Sequence, residues 1–190
     1  MKGLWWFAGG AVSAGAVALA GALTVIVTGA FDARASTQHS PVTAWATHTA
    51  MQNDMRRGAK AVQAPAAFTP AQTVHGLHLY MRDCVSCHGG PGVPRDAWVQ
   101  GMTPTPPFLV DASRRWTRAQ LFWVVKNGMK MTGMPAWGAT ESDADVWDVV
   151  AFLEAMPLMK PADFERLEKI RPAAAAQAAA QADAPNRQAR

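Results

Sequence analysis

The chain is poor in several things, and each shortage removes a class of explanation. Only two of its 190 residues are cysteine, and both fall within one short stretch, so a multi-bridge disulfide scaffold is excluded. Charged residues are sparse at 17%, and none occurs between Leu4 and Ala30. Nor does the centre carry an excess of one sign, since residues 71–160 hold eight Lys/Arg against eight Asp/Glu. The net charge of +4 therefore comes from Lys2, residues 31–70 and the tail. That distribution offers no basic folded face for nucleic acid, and no nucleic-acid partner is expected. Strand-like alternation is also missing, which points to an all-α fold.

The uncharged run LWWFAGGAVSAGAVALAGALTVIVTGA is longer than the roughly 20 apolar residues needed to span a bilayer as a helix. Residues 1–30 are accordingly read as a single-pass transmembrane signal-anchor. Trp5 and Trp6 suit the membrane interface, and Lys2 favours a cytoplasmic N-terminus, which puts the rest of the chain outside. A cleaved signal peptide is the competing reading, with Ala33-Arg34-Ala35 as a small-x-small site. Its apolar region would ordinarily run only about 7 to 15 residues, so length favours the anchor. Both readings deliver the chain to the same compartment.

Residues 31–68 read as a linker with a helix. Positions 31–42 are polar and contain Ser40-Pro41, and 43–63 form a weak helix with Arg56, Arg57 and Lys60 near its end, where the helix dipole favours cations. Ala64-Pro65-Ala66-Ala67-Phe68 breaks it. Thr69-Pro70-Ala71-Gln72 then opens a new helix with a hydroxyl cap, proline at the first helical position and Gln three residues after the cap. Val74, Leu77, Met81 and Cys84 follow at helical spacing. Thr117-Arg118-Ala119-Gln120 opens a second helix through Leu121, Phe122, Val124 and Val125, stopped at Asn127-Gly128. A third starts near Ser142 with Asp143 and Asp145 in its first turn, carries Val146, Val149, Val150 and Leu153 on one face, and ends before Pro157.

Between the cysteines and the second helix lies a long loop rich in glycine and proline, including Pro104, Pro106 and Pro107. Such a loop suits a compact domain when it wraps something. Residues 161–190 are read as an Ala/Gln-rich tail. After Ile170 it has too few large apolar residues to bury, so intermittent helix or disorder is expected there.

The motif that carries chemistry is Cys84-Val85-Ser86-Cys87-His88, the CxxCH pattern of c-type haem attachment. Two thiols on one helical turn can reach the two vinyl groups of one haem, and the adjacent imidazole then points at the iron. A thioredoxin-like reading would need βαβ context. A zinc site would need two further ligands, and His75 and His78 sit upstream at an awkward register. His39, His48, His75 and His78 are read as surface or packing residues, because no second CxxCH occurs. For the iron's other face, Met134 in Thr132-Gly133-Met134-Pro135-Ala136-Trp137 stands out, with Met129 and Met131 as rivals.

Three stretches, GLHLYMRDCVSCHGGPG, LFWVVKNGMKMTGMPAWG and DVWDVVAFLEAMP, make residues 71–158 resemble a class I cytochrome c, in an arrangement similar to membrane-anchored single-haem cytochromes of proteobacteria. The resemblance implies a haem domain over 69–160, with about three main helices wrapping one covalent haem c. Cys84 and Cys87 would attach it, His88 would be the proximal ligand and Met134 the distal one. It further implies that Gly76 and Tyr80 pack against the last helix near Val149 and Phe152. A carbonyl of the proline loop, Pro106 or Pro107, would accept the His88 ring N–H.

A His/Met pair leaves no substrate position, so the implied job is one-electron transfer between redox partner proteins. The haem domain would lie in the periplasm at a bacterial inner membrane. Trp98, Trp116, Trp123 and Trp137 are expected to wall the haem or the core. Arg114, Arg115, Arg118, Lys126 and Lys130 are expected near the haem edge, either as a docking face for an acidic partner or as solvated surface. Two alternatives stand beside the carrier. One is the haem subunit of a larger membrane oxidoreductase, and the other a ligand-binding haem sensor in which Met134 does not coordinate.

Overall fold

The computed structural model describes residues 2–166, with side chains from residue 9 onward. The side chains of Lys2, Trp5 and Trp6, and the tail expected to be weakly ordered after Ile170, lie outside the described residues. Two compact units divide between Thr37 and Gln38.

The first unit is built on α1 (Lys2–Val27), whose 26 residues make a rod about 39 Å long at 1.5 Å per residue. Its stretch Gly9–Val27 has a mean hydropathy of 2.1 and is, among the described residues, the one helix long and apolar enough to cross a membrane. The hydroxyls of Ser13, Thr24 and Thr28 donate to carbonyls four residues earlier. Their donors are thereby satisfied by the chain's own backbone.

The second unit contains α2 (Pro41–Gly58), α3 (Pro70–Asp83), α4 (Val85–His88), α5 (Ala112–Arg115), α6 (Arg118–Asn127) and α7 (Asp143–Ala155). A last helical segment, α8, covers 161–166. The described residues contain no strand, only one isolated bridge between Gly90 and Val93. The fold is all-α, as the class I cytochrome c resemblance implied.

Three starts follow from local chemistry. Thr69, Thr117 and Ser142 each form a capping box with the residue three positions on, Gln72, Gln120 and Asp145. Each box satisfies backbone N–H groups that the first turn leaves without partners. Ser40 does the same for Thr43 N, with Pro41 in the first turn, so α2 begins inside the segment read as polar linker. Gly58 at its other end lies against the Trp123 indole of α6.

The core is organised around the crossing of α3 and α7. A Cβ at Gly76 would overlap the Asp148 carbonyl, so only glycine lets the two backbones come this close. Gln72 Nε2 donates to Asp148 Oδ1 at 3.0 Å, and His75 Nδ1 lies 2.9 Å from Asp148 Oδ2. One turn further, the Tyr80 ring sits 5.1 Å from Phe152. Its hydroxyl donates to the Gly89 carbonyl at 2.7 Å, and burial pushes its pKa well above the ordinary value.

Packing departs from expectation at four places. Phe164 of α8 is fully buried, with its ring 6.4 Å from both Tyr80 and Phe152, so the core extends past the expected boundary at residue 160. Trp98, expected to wall the interior, is exposed, because its short 3-10 turn at Ala97–Gly101 buries Val99 instead. The indole missed in the sequence is Trp147, stacked on Phe122 at 4.1 Å. Val74 also faces solvent, since the α3–α7 seam runs through Gly76, Leu79 and Tyr80.

Candidate functional site

The cysteine motif follows α3 directly. The Cys84 carbonyl accepts from both Cys87 N and His88 N, at 3.1 and 2.9 Å. This turn gathers Cys84, Cys87 and His88 at one short piece of helix, α4, with Cys84 at its N-cap. It ends at Gly89, whose φ of +61° favours glycine. Both thiols are free.

His88 is buried, and its Nδ1 lies 2.7 Å from the Pro107 carbonyl. Of the two prolines expected to hold the ring, it is Pro107 that does so. The carbonyl can only accept, so Nδ1 carries the proton and Nε2 keeps a free lone pair. Burial lowers the pKa of this histidine, opposed by the Pro107 bond and assisted by Arg95. The ring is thus held neutral, the form that ligates metal.

The thiols do not look like redox catalysts. Cys84 keeps some accessible surface, yet its surroundings are dense enough to push its pKa up to about 12, with Asp83 and Cys87 adding to the effect of burial. Cys87 is raised as well, chiefly by burial. A thiol-exchange site needs the opposite, a lowered pKa beside positive charge. Among the described residues no group of three or more His, Cys, Asp or Glu side chains is placed to hold a metal ion.

The methionine loop, residues 129–134, is closed on itself. Met129 N donates to the Met134 carbonyl at 3.2 Å, the Thr132 hydroxyl donates to the Met129 carbonyl at 2.7 Å, and Met134 N donates to the same hydroxyl at 3.1 Å. The three methionines separate in this frame. Met134 is half-buried and packs, as does Cys84, on the hydrophobic cluster centred on Tyr80 and Phe152. Met129 is half-buried. Met131 is 89% exposed, and its φ of +61° places it in the left-handed region. Met102, which the sequence did not single out, lays its methyl against Gly133.

Four of the five cations expected at a docking face have partners within the fold, and the fifth, Lys130, is exposed. Arg118 pairs with Glu154 at 2.7 Å and also donates to the Pro65 and Ala66 carbonyls. Lys126 pairs with Asp143 at 2.6 Å, Arg114 with Asp111 at 3.2 Å, and Arg115 donates to the Phe108 carbonyl. Of the histidines outside the motif, His39, His48 and His78 are exposed, and His75 serves the α3–α7 crossing.

A neutral buried imidazole with one nitrogen committed and the other free fits haem c by the chemistry of its donors. So do two thiols on the same turn and a thioether in a closed loop. Helices packed around a CxxCH turn, with a proline loop holding its histidine, are the arrangement that the resemblance to class I cytochrome c implied. Residues 71–153 match the family model described as cytochrome c oxidase, cbb3-type, subunit III. This domain supports haem-based electron transfer. No curated protein matches the chain.

Proposed function

We propose that the protein is a one-electron carrier holding a single covalent haem c, anchored by α1 in a bacterial inner membrane with its haem domain in the periplasm. The observation that carries the reading is the His88–Pro107 hydrogen bond. It fixes the tautomer and ring orientation of a buried histidine that immediately follows two free thiols.

In this reading Cys84 and Cys87 would attach the haem, and His88 Nε2 and Met134 Sδ would hold its iron. Haem supplies a metal that changes oxidation state by one electron without bond rearrangement. The chain's own work is positional. Pro107 holds the imidazole, the hydrogen bonds around Thr132 hold the Met134 backbone, and the Tyr80–Phe152–Phe164 cluster keeps water from the interior. A His/Met pair raises the reduction potential relative to other axial pairs.

The test is to produce the chain with haem-maturation machinery and to compare oxidised visible spectra of wild type and Met134→Ala. The wild type is expected to show the weak sulfur-to-iron band near the red end, and the variant to lose it. A wild type without that band, whose reduced form binds CO readily, would point to the ligand-binding sensor instead.

A second reading draws on the printed description of the matched family, which is that of an oxidase subunit. In it the same haem domain serves a larger membrane oxidoreductase. Stable copurification of a partner from mild detergent supports this version, and a chain that runs alone supports the free carrier.

A further inference from the structure

We propose that Arg95 is a positioning residue for His88, acting through the loop that carries Pro107. The proposal rests on the reading of His88 as an iron ligand, and it concerns a residue in the non-helical loop that follows the CxxCH motif.

The Pro107 carbonyl sits on an extended, proline-rich stretch that has no regular hydrogen-bonding partner strand or helix of its own. Something must fix that carbonyl relative to the imidazole. Arg95 grips both neighbours of Pro107. Its Nη1 donates to the Pro106 carbonyl, and its guanidinium lies over the Phe108 ring with its central carbon 4.3 Å from the ring centroid. A guanidinium is planar and can donate in its plane while stacking through its face, which a lysine ammonium cannot do.

Arg95 is itself tied to the motif. The next residue, Asp96, donates its backbone N–H to the Ser86 carbonyl, inside the CxxCH turn, at 2.9 Å. The other face of the clamp also closes on the motif, because Phe108 lies so near Gly89 that a Cβ there would stand 2.9 Å from the ring edge. A closed circuit results: the motif holds residue 96, Arg95 holds residues 106 and 108, and residue 107 holds the ring of His88. Arg115, which donates to the Phe108 carbonyl at 3.3 Å, steadies the same loop from outside.

The consequence is electronic as well as mechanical. A firm hydrogen bond from Nδ1 gives a ligating imidazole more anionic character and favours oxidised iron. The positive charge of Arg95 nearby favours the reduced state. Substitutions can separate the two effects. Arg95→Lys keeps the charge and loses the clamp, so the midpoint potential is expected to rise above wild type. Arg95→Ala loses both, so its potential is expected to lie below that of Arg95→Lys. Phe108→Leu keeps the arginine and removes the stacking surface, and is expected to shift the potential in the direction of Arg95→Lys by a smaller amount.

The second readout is solvent exchange of the His88 Nδ1 proton, followed by NMR in the full chain. It is expected to quicken at least tenfold in Arg95→Lys and Arg95→Ala. Unchanged exchange together with an unchanged potential in Arg95→Lys would overturn the proposal. If wild type carries no haem, the electron-carrier reading fails. The exchange comparison then still decides the role of Arg95, because it reads the His88–Pro107 bond itself.

Discussion

The two sides of the candidate site are held by different means. His88 belongs to a helical turn that follows a long packed helix, is almost fully buried, and is gripped by a carbonyl from a separate loop. Met134 sits in a short loop closed mainly by its own hydrogen bonds, half-buried, three residues from a solvent-exposed methionine in a strained backbone conformation. The histidine ring is fixed by a hydrogen bond from a distant loop, and the methionine's backbone by hydrogen bonds within its own loop, with only its side chain leaning on the core. The methionine side is therefore the one expected to open first, since local closure costs little to undo.

The largest effect should come from the shared frame. Phe164→Ala empties a fully buried site against Tyr80 and Phe152, and a Phe→Ala change in a core costs about 3–5 kcal/mol. Denaturant melts should show this loss in the global unfolding transition, which lies beyond any earlier opening of the methionine loop. A global transition left where it stands in wild type would mean that Phe164 adds nothing to the shared core.

Next comes Thr132→Val, which removes the hydroxyl that links Met129 to Met134. A lost hydrogen bond of this kind weakens the loop by about 1.4 kcal/mol, so displacement of Met134 by CO in the reduced protein should become roughly tenfold easier. His88 Nδ1 exchange should stay as in wild type. A parallel change on both sides would erase the distinction between them.

The smallest effect is expected at the loop tip. Met131→Gly relieves a left-handed φ that costs a side-chain-bearing residue on the order of 1–2 kcal/mol, set against the greater backbone freedom glycine has when unfolded. A net gain in stability under about 1 kcal/mol is expected, read as a small rise in Tm. A loss of stability would show that the exposed Met131 side chain holds the loop together.

The parts of this molecule legible in the sequence are those written within a few residues. The capping boxes at Thr69, Thr117 and Ser142 need only four positions each, and the turn that gathers Cys84, Cys87 and His88 needs five. Ser40-Pro41 carries the same start signal, but its polar surroundings suggested a linker. What stayed hidden depends on distant partners. A single phenylalanine beyond Pro157 has no periodic companions to mark it as core. Trp98 and Trp147 differ in burial because of which neighbours the fold gives them. Arg95 and Phe108, far apart in the chain, meet only when the proline loop comes back over the cysteine turn.

The position of Phe164 also sets where the domain can be cut. The ring lies so close to Gly90 that a Cβ there would overlap it, which ties the end of the described chain to the loop just after the cysteine motif. A fusion joined at residue 160 would leave Tyr80 and Phe152 without their cover and an apolar hole beside the motif. One joined after residue 166 would keep the lid on.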